Sequence, residues 1–247
     1  MIYSTNYFGY EPRRKQAVPI HVITDLTDPI PPDDPRIATA WHKPQHDENH
    51  GRLAGVWWKT HPNLVTDDPV TIWVGGNVEV LVPDFEQRCL DELGDDDVLL
   101  MRHPWRDDLL EEERESHPNT KYDGQRTRDQ VELYMVDTVD RDPAFGSTEW
   151  VYPGLAHGGF LVRRNTPRVQ WKFNERWWRE IRSWSIQDQL SLPYVIATSG
   201  LAWHFWPSEG QWRSRPFERG WIRYGQIGRQ VPPEEREPEP SSHSHPL

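Results

Sequence analysis

The residues of this chain with the clearest chemical potential stand at the ends of predicted strands and helices. Asp25 follows the alternating apolar pattern of residues 18–24, and Lys59 lies near the end of a predicted helix. The carboxyl end of a strand, where Asp25 lies, is where open α/β sheets bind ligands. A lysine near the end of a helix, such as Lys59, can contact phosphate. Each residue also has a structural explanation. Asp25 begins a proline-rich loop, and the helix dipole alone favours a cation at the position of Lys59.

Three other residues belong to the same group of candidates. His103 and Arg106 lie in a loop after the apolar run at 98–101, which predicts a buried strand. Asp188 follows Ser185 at the spacing of a capping box, so its carboxylate has a structural alternative as the support of a helix start.

A glycine-rich break interrupts a strand pattern in the middle of the chain. The apolar residues alternate from 72 to 80, and Gly75, Gly76 and Asn77 divide the run. Such a break indicates either a bulge or tight turn, or a place where a ligand or another backbone approaches closely. The pattern by itself leaves both interpretations open.

Further polar clusters receive mainly structural interpretations. Arginines concentrate between residues 213 and 229, where guanidinium groups suit phosphate or carboxylate recognition but also occur commonly as exposed surface groups. The acidic run at 91–97 lacks the spacing of a calcium loop and predicts a solvated surface. His204, between aromatic residues, is either a structural histidine or a metal ligand.

The composition limits the classes of function. A formal net charge of −11 argues against broad binding to nucleic acid or to anionic lipid, since both attract positive fields. Cys89 is the only cysteine, which excludes an internal disulfide and fits a reducing, cytoplasmic location. No apolar run reaches the length of a membrane span, so we expect no membrane insertion. We predict one domain over residues 1–230 and a disordered tail over residues 231–247, which is rich in Pro, Glu and Ser.

The elements that must position these residues alternate along the chain. Period-2 patterns predict strands at 1–10, 18–25, 72–80, 98–101 and 158–163, and period-3.6 patterns predict helices at 49–62, 85–93, 108–115, 129–136 and 174–184. This alternation indicates an α/β sandwich with a mainly parallel central sheet. Within the helices we expect Val131, Tyr134 and Met135 to face inward, Asn174 to act as an N-cap, and Trp177, Ile181 and Trp184 to share one buried face. The chain holds no Walker loop, nucleophile elbow or dinucleotide fingerprint.

The order of these motifs resembles the glycosyltransferase-like domain-of-unknown-function 616 family, which includes plant mucilage-related hexosyltransferase-like proteins and bacterial and viral relatives. The matching runs are residues 3–10, 24–25, 58–62, 72–77, 103–106, 112–113, 154–163, 177–178 and 188–191. They extend over most of the first 196 residues. The resemblance implies a GT-A-like fold, that of nucleotide-diphospho-sugar transferases, and a nucleotide-sugar donor whose hexose passes to an acceptor hydroxyl on a glycan or another molecule.

The resemblance also implies a donor site. Tyr3 and Thr5 would lie at a strand end in this site, Asp25 would face the base or ribose, and Lys59 would lie near the diphosphate. Asp188 and Gln189 resemble the acidic motif that contacts the donor sugar in glycogenin-type transferases. A carboxylate there stabilises an oxocarbenium-like transition state or acts as a base. His103 and Arg106 would contact the acceptor or the diphosphate.

The metal-binding motif is where this chain departs from the family. The family pattern is Trp-x-Asp-Gly-Asn, but residues 73–77 read Trp-Val-Gly-Gly-Asn, so the first carboxylate is missing. The resemblance implies a Mn²⁺ or Mg²⁺ site with Asn77 and His204 as the remaining ligands, while the arginines at 213–229 offer a metal-independent alternative. Two other classes of function therefore stay open. One is a non-catalytic module that binds a nucleotide sugar or glycan, and the other is a structural or assembly protein.

Overall fold

The computed structural model describes residues 1–6, 16–24, 37–42, 51–76, 78–117, 125–139, 152–206, 217–219 and 221–224. The strands are β1 (Ile2–Asn6), β2 (Ile20–Thr24), β3 (Ile37–His42), β4 (Val70–Val74), β5 (Val78–Val80), β6 (Val98–Arg102), β7 (Ala156–Arg164), β8 (Trp203–Trp206), β9 (Phe217–Arg219) and β10 (Ile222–Tyr224). The helices are α1 (Gly51–Thr60), α2 (Phe85–Leu93), α3 (Leu109–Ser116), α4 (Thr127–Val139), α5 (Pro167–Val169), α6 (Glu175–Ser183) and α7 (Asp188–Ala197). A 3₁₀ turn (Pro62–Leu64) follows α1, and a π-helical turn (Gln170–Asn174) joins α5 to α6.

The central sheet has the strand order β3-β2-β1-β4-β7-β6-β8. Within the described chain, β7 alone runs against the other strands of this sheet, and the remaining neighbours pair in parallel. All five residues of β4 are buried, as expected for a strand covered on both faces. The predicted α/β sandwich with a mainly parallel sheet is therefore confirmed.

Apolar side chains fill the space on both faces of this sheet. On one face, Phe85, Cys89 and Leu93 of α2 pack against the strands. On the other face, α1, α6 and α7 cover the sheet, and Trp177 and Ile181 of α6 are among the buried side chains. The helices on this second face bring together the charged residues described below.

The glycine-rich break separates two strands that belong to different sheets. β4 ends at Val74 in the central sheet, and β5 resumes at Val78 in a small antiparallel sheet of order β5-β10-β9. A Cβ atom added to Gly76 would meet nothing within 4 Å, so no close approach explains this glycine. The break is a change of sheet, and Asn77 lies outside the described residues.

Three local predictions are wrong. Met135 is 42% exposed, although Val131 and Tyr134 of the same helix are buried as predicted. Asn174 is not an N-cap, because the preceding π-helical turn already places it in helical conformation and its side-chain oxygen accepts from Arg163. Trp177 and Ile181 are buried as predicted, whereas Trp184 is only partly buried.

The capping box predicted at Ser185 is also absent. The helix begins at Asp188, three residues later, and the Ser185 hydroxyl donates instead to the Gln130 side chain at 2.7 Å. The carboxylate of Asp188 is therefore engaged elsewhere. Within the described ranges, no helix has the length and apolar character needed to cross a bilayer. The predicted tail at 231–247 lies outside the described residues.

Candidate active site

The centre of the candidate site is an ion pair between Lys59 and Asp188. Lys59 is near the end of α1 and Asp188 is the first residue of α7, so the packing of α1, α6 and α7 on one face of the sheet brings them together. The ammonium Nζ of Lys59 contacts Oδ2 of Asp188. The Lys59 side chain is 5% exposed and that of Asp188 is 16% exposed. The carboxylate is thus the more accessible member of the pair.

The rings of two tryptophans lie beside the ammonium group of Lys59. Nζ of Lys59 lies 4.9 Å from the ring centroid of Trp177 and 5.6 Å from that of Trp73. These distances are within the range of cation–π attraction. The indole N–H of Trp177 donates to the backbone carbonyl of Asp188 at 3.2 Å, so the same ring that faces the cation also holds the start of α7.

A bulge in β7 leaves the space that the ion pair fills. Leu100 pairs with Leu161 but Met101 pairs with His157, so the intervening residues of β7 bulge away from β6. A Cβ atom at Gly158, in this bulge, would lie 2.7 Å from Nζ of Lys59 and 2.9 Å from Oδ1 of Asp188. Glycine is therefore required here by close packing, as is common where bulges border functional sites.

A buried arginine holds the backbone carbonyl of Lys59 in place. Arg163 is fully buried, and its Nη2 donates to the carbonyl oxygen of Lys59 and, at 2.6 Å, to the hydroxyl of Tyr3. The Tyr3 hydroxyl in turn donates to the same carbonyl at 3.1 Å. Burial lowers the pKa of Lys59, the nearby Arg163 charge lowers it further, and Asp188 opposes both effects. The ammonium ion thus depends on Asp188 for its charge balance.

His157 extends the site toward β6. Its Nδ1 accepts from the backbone N–H of Gly159 at 3.0 Å, and its ring lies 5.4 Å from that of His103. Burial lowers the pKa of His157 to about 3, and the charges of Lys59 and Arg106 act in the same direction. The imidazole is therefore neutral at physiological pH, which allows it to lie near these two cations.

The loop after β6 carries the second charged pair. Nε of Arg106 contacts Oε2 of Glu112, and Nη2 of Arg106 lies 3.3 Å from Nε2 of His103. His103 shapes this loop, because its Nδ1 accepts from the backbone N–H of Arg106 at 3.0 Å. Gln187, next to Asp188 in the sequence, donates from Nε2 to the other oxygen of Glu112. A continuous set of contacts therefore joins Arg106 to the residue that precedes Asp188.

The remaining predicted residues are placed differently. Thr5 lies in β1 opposite Ile23 of β2, and Gln189 is half-buried in the first turn of α7. Tyr3 is buried beneath Lys59, which gives its hydroxyl a supporting position. Asp25 and Asn77 lie outside the described residues, as do Arg213, Arg215 and Arg229 of the arginine cluster.

His204 is held away from these groups, at the start of β8. It pairs in register with Leu99 near the start of β6, whereas His103 follows the other end of β6. Its Nδ1 lies 2.6 Å from Oδ2 of Asp96, in the acidic run before β6. His204 is therefore held by a surface carboxylate.

The potential metal-ligand side chains among the described residues do not form a site for a divalent ion. Nowhere in the described ranges do three His, Cys, Asp or Glu side chains come close enough to share a metal. Asp188 and Glu112, the two carboxylates of the candidate site, each pair with a cation already. No chemical step is therefore assigned to a metal here.

Several residues of this site did not stand out in the sequence. Trp177 was predicted as core, and it is buried, but its ring also faces the Lys59 ammonium group. His157, Gly158 and Glu112 lie in runs that match the family pattern, at 154–163 and 112–113, but no individual role was assigned to any of them. The His-Gly-Gly run at 157–159 was the available signal, since paired glycines beside a histidine in a strand indicate a bulge.

Comparison with known proteins places the chain in a family. Residues 61–205, well over half of the chain, match the family described as TOD1/MUCI70, glycosyltransferase-like domain. Among solved structures, the apo form of mouse xyloside xylosyltransferase 1 is similar, with 8% identity, a TM-score of 0.41, and coverage of 83% of this chain and 85% of that chain. That likeness is too low to transfer any residue role. Comparison with curated protein sequences gives no match. The family match confirms the glycosyltransferase-like character that the motif order implied, and the chain belongs to the TOD1/MUCI70 glycosyltransferase-like domain family.

Proposed function

We propose that this protein is a glycosyltransferase that moves a hexose from a nucleotide-diphosphate donor to an acceptor hydroxyl. The observation that carries the proposal is the Lys59–Asp188 ion pair, which holds a partly exposed carboxylate among buried groups in a member of a glycosyltransferase-like family. In this reaction the bond from the sugar carbon to the diphosphate breaks, the acceptor oxygen bonds to that carbon, and the acceptor hydroxyl loses its proton.

Asp188 has the central role in this proposal. Its Oδ2 is engaged by Lys59, so Oδ1 is the oxygen directed to other donors, such as sugar hydroxyls. A fixed carboxylate beside the sugar also stabilises the positive charge that develops at the reacting carbon. Gln189, the next residue, supplies an amide that can bond the same hydroxyl groups.

Arg106 is the proposed contact for the departing diphosphate. Its side chain is 15% exposed, and its guanidinium group lies beside the ring of His103. A guanidinium group matches phosphate oxygens in a bidentate manner and neutralises charge as the bond breaks. Thr5 and Asp25 remain proposed contacts for the nucleoside part of the donor, and Asn77 remains a proposed ligand of any Mn²⁺ or Mg²⁺, whereas His204 lies too far along β6 to share that ion.

A second candidate is a module that binds a nucleotide sugar or glycan without turnover. The observation that favours it is the absence of a carboxylate from the run Trp73 to Asn77, together with the pairing of Asp188 by a buried lysine. Both functions predict binding of a donor, and only the first predicts its consumption.

The deciding experiment measures binding and turnover on the same protein. Thermal-shift titrations with uridine and guanosine diphosphates and their hexose derivatives, with and without Mn²⁺, detect any ligand that binds the folded state. Release of nucleoside diphosphate from the sugar donor then reports turnover. The Asp188→Asn variant should lose turnover and keep nucleoside diphosphate binding. Asp129→Asn, at an exposed surface pair with Arg126, is the matched control and should keep both.

Each outcome selects one function. Turnover that Asp188→Asn abolishes supports the transferase. Binding without release of diphosphate supports the binding module, and no binding to any nucleotide supports an assembly role for the fold. Turnover that is unchanged in Asp188→Asn removes this residue from the mechanism.

A further inference from the structure

We infer that Glu112 is a positioning residue that fixes Arg106 for contact with the diphosphate of the donor. This inference rests on the proposed function, because it concerns the same site and the same donor. It assigns a role to a residue of α3 that lies behind the surface of the site and whose carboxylate connects two of its charged parts.

The contacts of Glu112 show how it acts on Arg106. Oε2 contacts Nε of Arg106, while Oε1 accepts from Nε2 of Gln187 and lies 3.5 Å from the hydroxyl of Ser116. The side chain of Glu112 is 2% exposed. Both carboxylate oxygens are therefore held inside the protein, and the carboxylate cannot turn toward a ligand.

The guanidinium group of Arg106 is oriented by this arrangement. Among the described residues, Nε of Arg106 bonds Glu112, Nη2 lies 3.3 Å from the His103 ring nitrogen Nε2, and Nη1 takes part in no bond. Because the side chain is partly exposed, that free edge is the one able to meet an anion. A planar group that is bonded at Nε and packed against His103 at Nη2 presents Nη1 in a fixed direction.

The same carboxylate also fixes the distance between the two functional ends of the site. Gln187 bonds Glu112 and immediately precedes Asp188, so Glu112 connects the Arg106 loop to the start of α7. A nucleotide sugar carries its anionic diphosphate directly beside the sugar hydroxyls. One positioned cation and one positioned carboxylate, connected through a common residue, fit these two adjacent parts of the donor.

A purely structural role for Glu112 makes a different prediction. Loss of a structural contact would weaken the binding of every part of the donor to a similar extent. Loss of a positioning contact would weaken only the binding that uses the diphosphate. Comparing a nucleoside with its diphosphate therefore separates the two roles.

The test uses Glu112→Asp in the full chain, which keeps the negative charge and withdraws the carboxylate from Arg106. Glu113→Asp is the matched control, because Glu113 is a buried glutamate of the same helix and bonds Thr127 at 3.5 Å and not Arg106. Calorimetric titration measures the affinity for the nucleoside and for the nucleoside diphosphate of whichever base the wild-type protein binds.

We expect Glu112→Asp to weaken binding of the diphosphate by roughly 10- to 100-fold, the range that follows from loss of a charge-assisted contact. Nucleoside binding should change by less than about twofold, and Glu113→Asp should change neither. If Glu112→Asp fails to fold, Gln187→Met provides the second test. It leaves both charges in place, removes the bond to Oε1, and should produce a selective loss of the same kind.

Two results would overturn the inference. Equal loss of nucleoside and diphosphate affinity would show a structural role, and unchanged diphosphate affinity would show that the orientation of Arg106 does not matter. If the wild-type protein binds no nucleotide at all, the proposed function fails first and this inference fails with it.

Discussion

The Lys59–Asp188 ion pair makes the sharpest prediction about stability. Breaking a buried pair by removing one partner costs about 3–5 kcal/mol, because a charge remains without compensation. Lys59 is 5% exposed and its ammonium group lies beside the rings of Trp177 and Trp73, so Asp188→Asn should approach that cost. We expect the lower end, about 3 kcal/mol, because Lys59 can lose its proton. For a chain of this size that loss lowers Tm by roughly 6–12 °C.

The double variant Lys59→Met, Asp188→Asn separates charge from packing. With both charges removed, methionine fills much of the lysine volume against Trp177, and stability should return to within about 1 kcal/mol of wild type. The single variant Lys59→Met should cost less than Asp188→Asn, since the unpaired Asp188 is the more exposed partner at 16%. Chemical denaturation of the four proteins measures all three differences.

The pH dependence supplies an internal check. In Asp188→Asn, the folded-state pKa of Lys59 lies below its unfolded value, since burial already lowers it in the presence of Asp188. At pH values between the folded-state and the unfolded-state pKa of Lys59, the unfolded chain binds more protons than the folded chain. The free energy of unfolding therefore rises as pH increases through this range. The difference in free energy of unfolding between the wild-type protein and Asp188→Asn should become smaller between neutral pH and about pH 9.5. Single variants that each cost under about 1 kcal/mol and add in the double variant would refute the reasoning.

Three further predictions concern neighbouring residues. Burial holds the pKa of His157 near 3 in the folded state, whereas the unfolded value is about 6.5. The free energy of unfolding should therefore fall by up to about 1.4 kcal/mol per pH unit as pH decreases from about 6.5 toward 3. The slope should be smaller in His157→Gln when acid unfolding is followed by circular dichroism. Gly158→Ala should destabilise the protein by roughly 1–3 kcal/mol and abolish turnover, whereas Gly76→Ala, whose Cβ would meet nothing within 4 Å, should be tolerated in the same assays. Arg163→Met should lower kcat more than it raises KM, because it removes the support of the Lys59 backbone without touching the exposed site, and Arg163→Lys should restore activity only in part.

The order of elements was largely readable from the sequence because each element is determined by its own periodicity. The apolar alternation around β2 and β4 and the helical stripe of α6 predicted these elements to within a few residues. Local errors arose where a neighbouring element changed the outcome. Asn174 has a good capping side chain, but the π-helical turn before it leaves no helix start to cap. Met135 has an apolar side chain, yet α4 turns that position outward.

The candidate site was readable only as separate residues. Lys59, His103, Arg106 and Asp188 were each identified, and Lys59 and Asp188 each had a local structural explanation as well. The structure removes the capping explanation for Asp188, because the Lys59 ammonium group holds its carboxylate. The structure also shows that the glycine required by the site is Gly158 and not one of the glycines in the break at 75–76. Close packing, and not backbone conformation, requires Gly158.

The sequence by itself indicated a glycosyltransferase-like family, the alternation of strands and helices, and the missing carboxylate in the run Trp73 to Asn77. These depend on residue identity and on spacing within short segments. Only the tertiary structure decided that Lys59 and Asp188, 129 positions apart, form one buried pair and that Glu112 connects Arg106 to the start of α7. Such contacts depend on how helices pack across a sheet, which no local periodicity encodes. The physical reason is that burial, and with it the pKa and the strength of each charge, is a property of the folded chain.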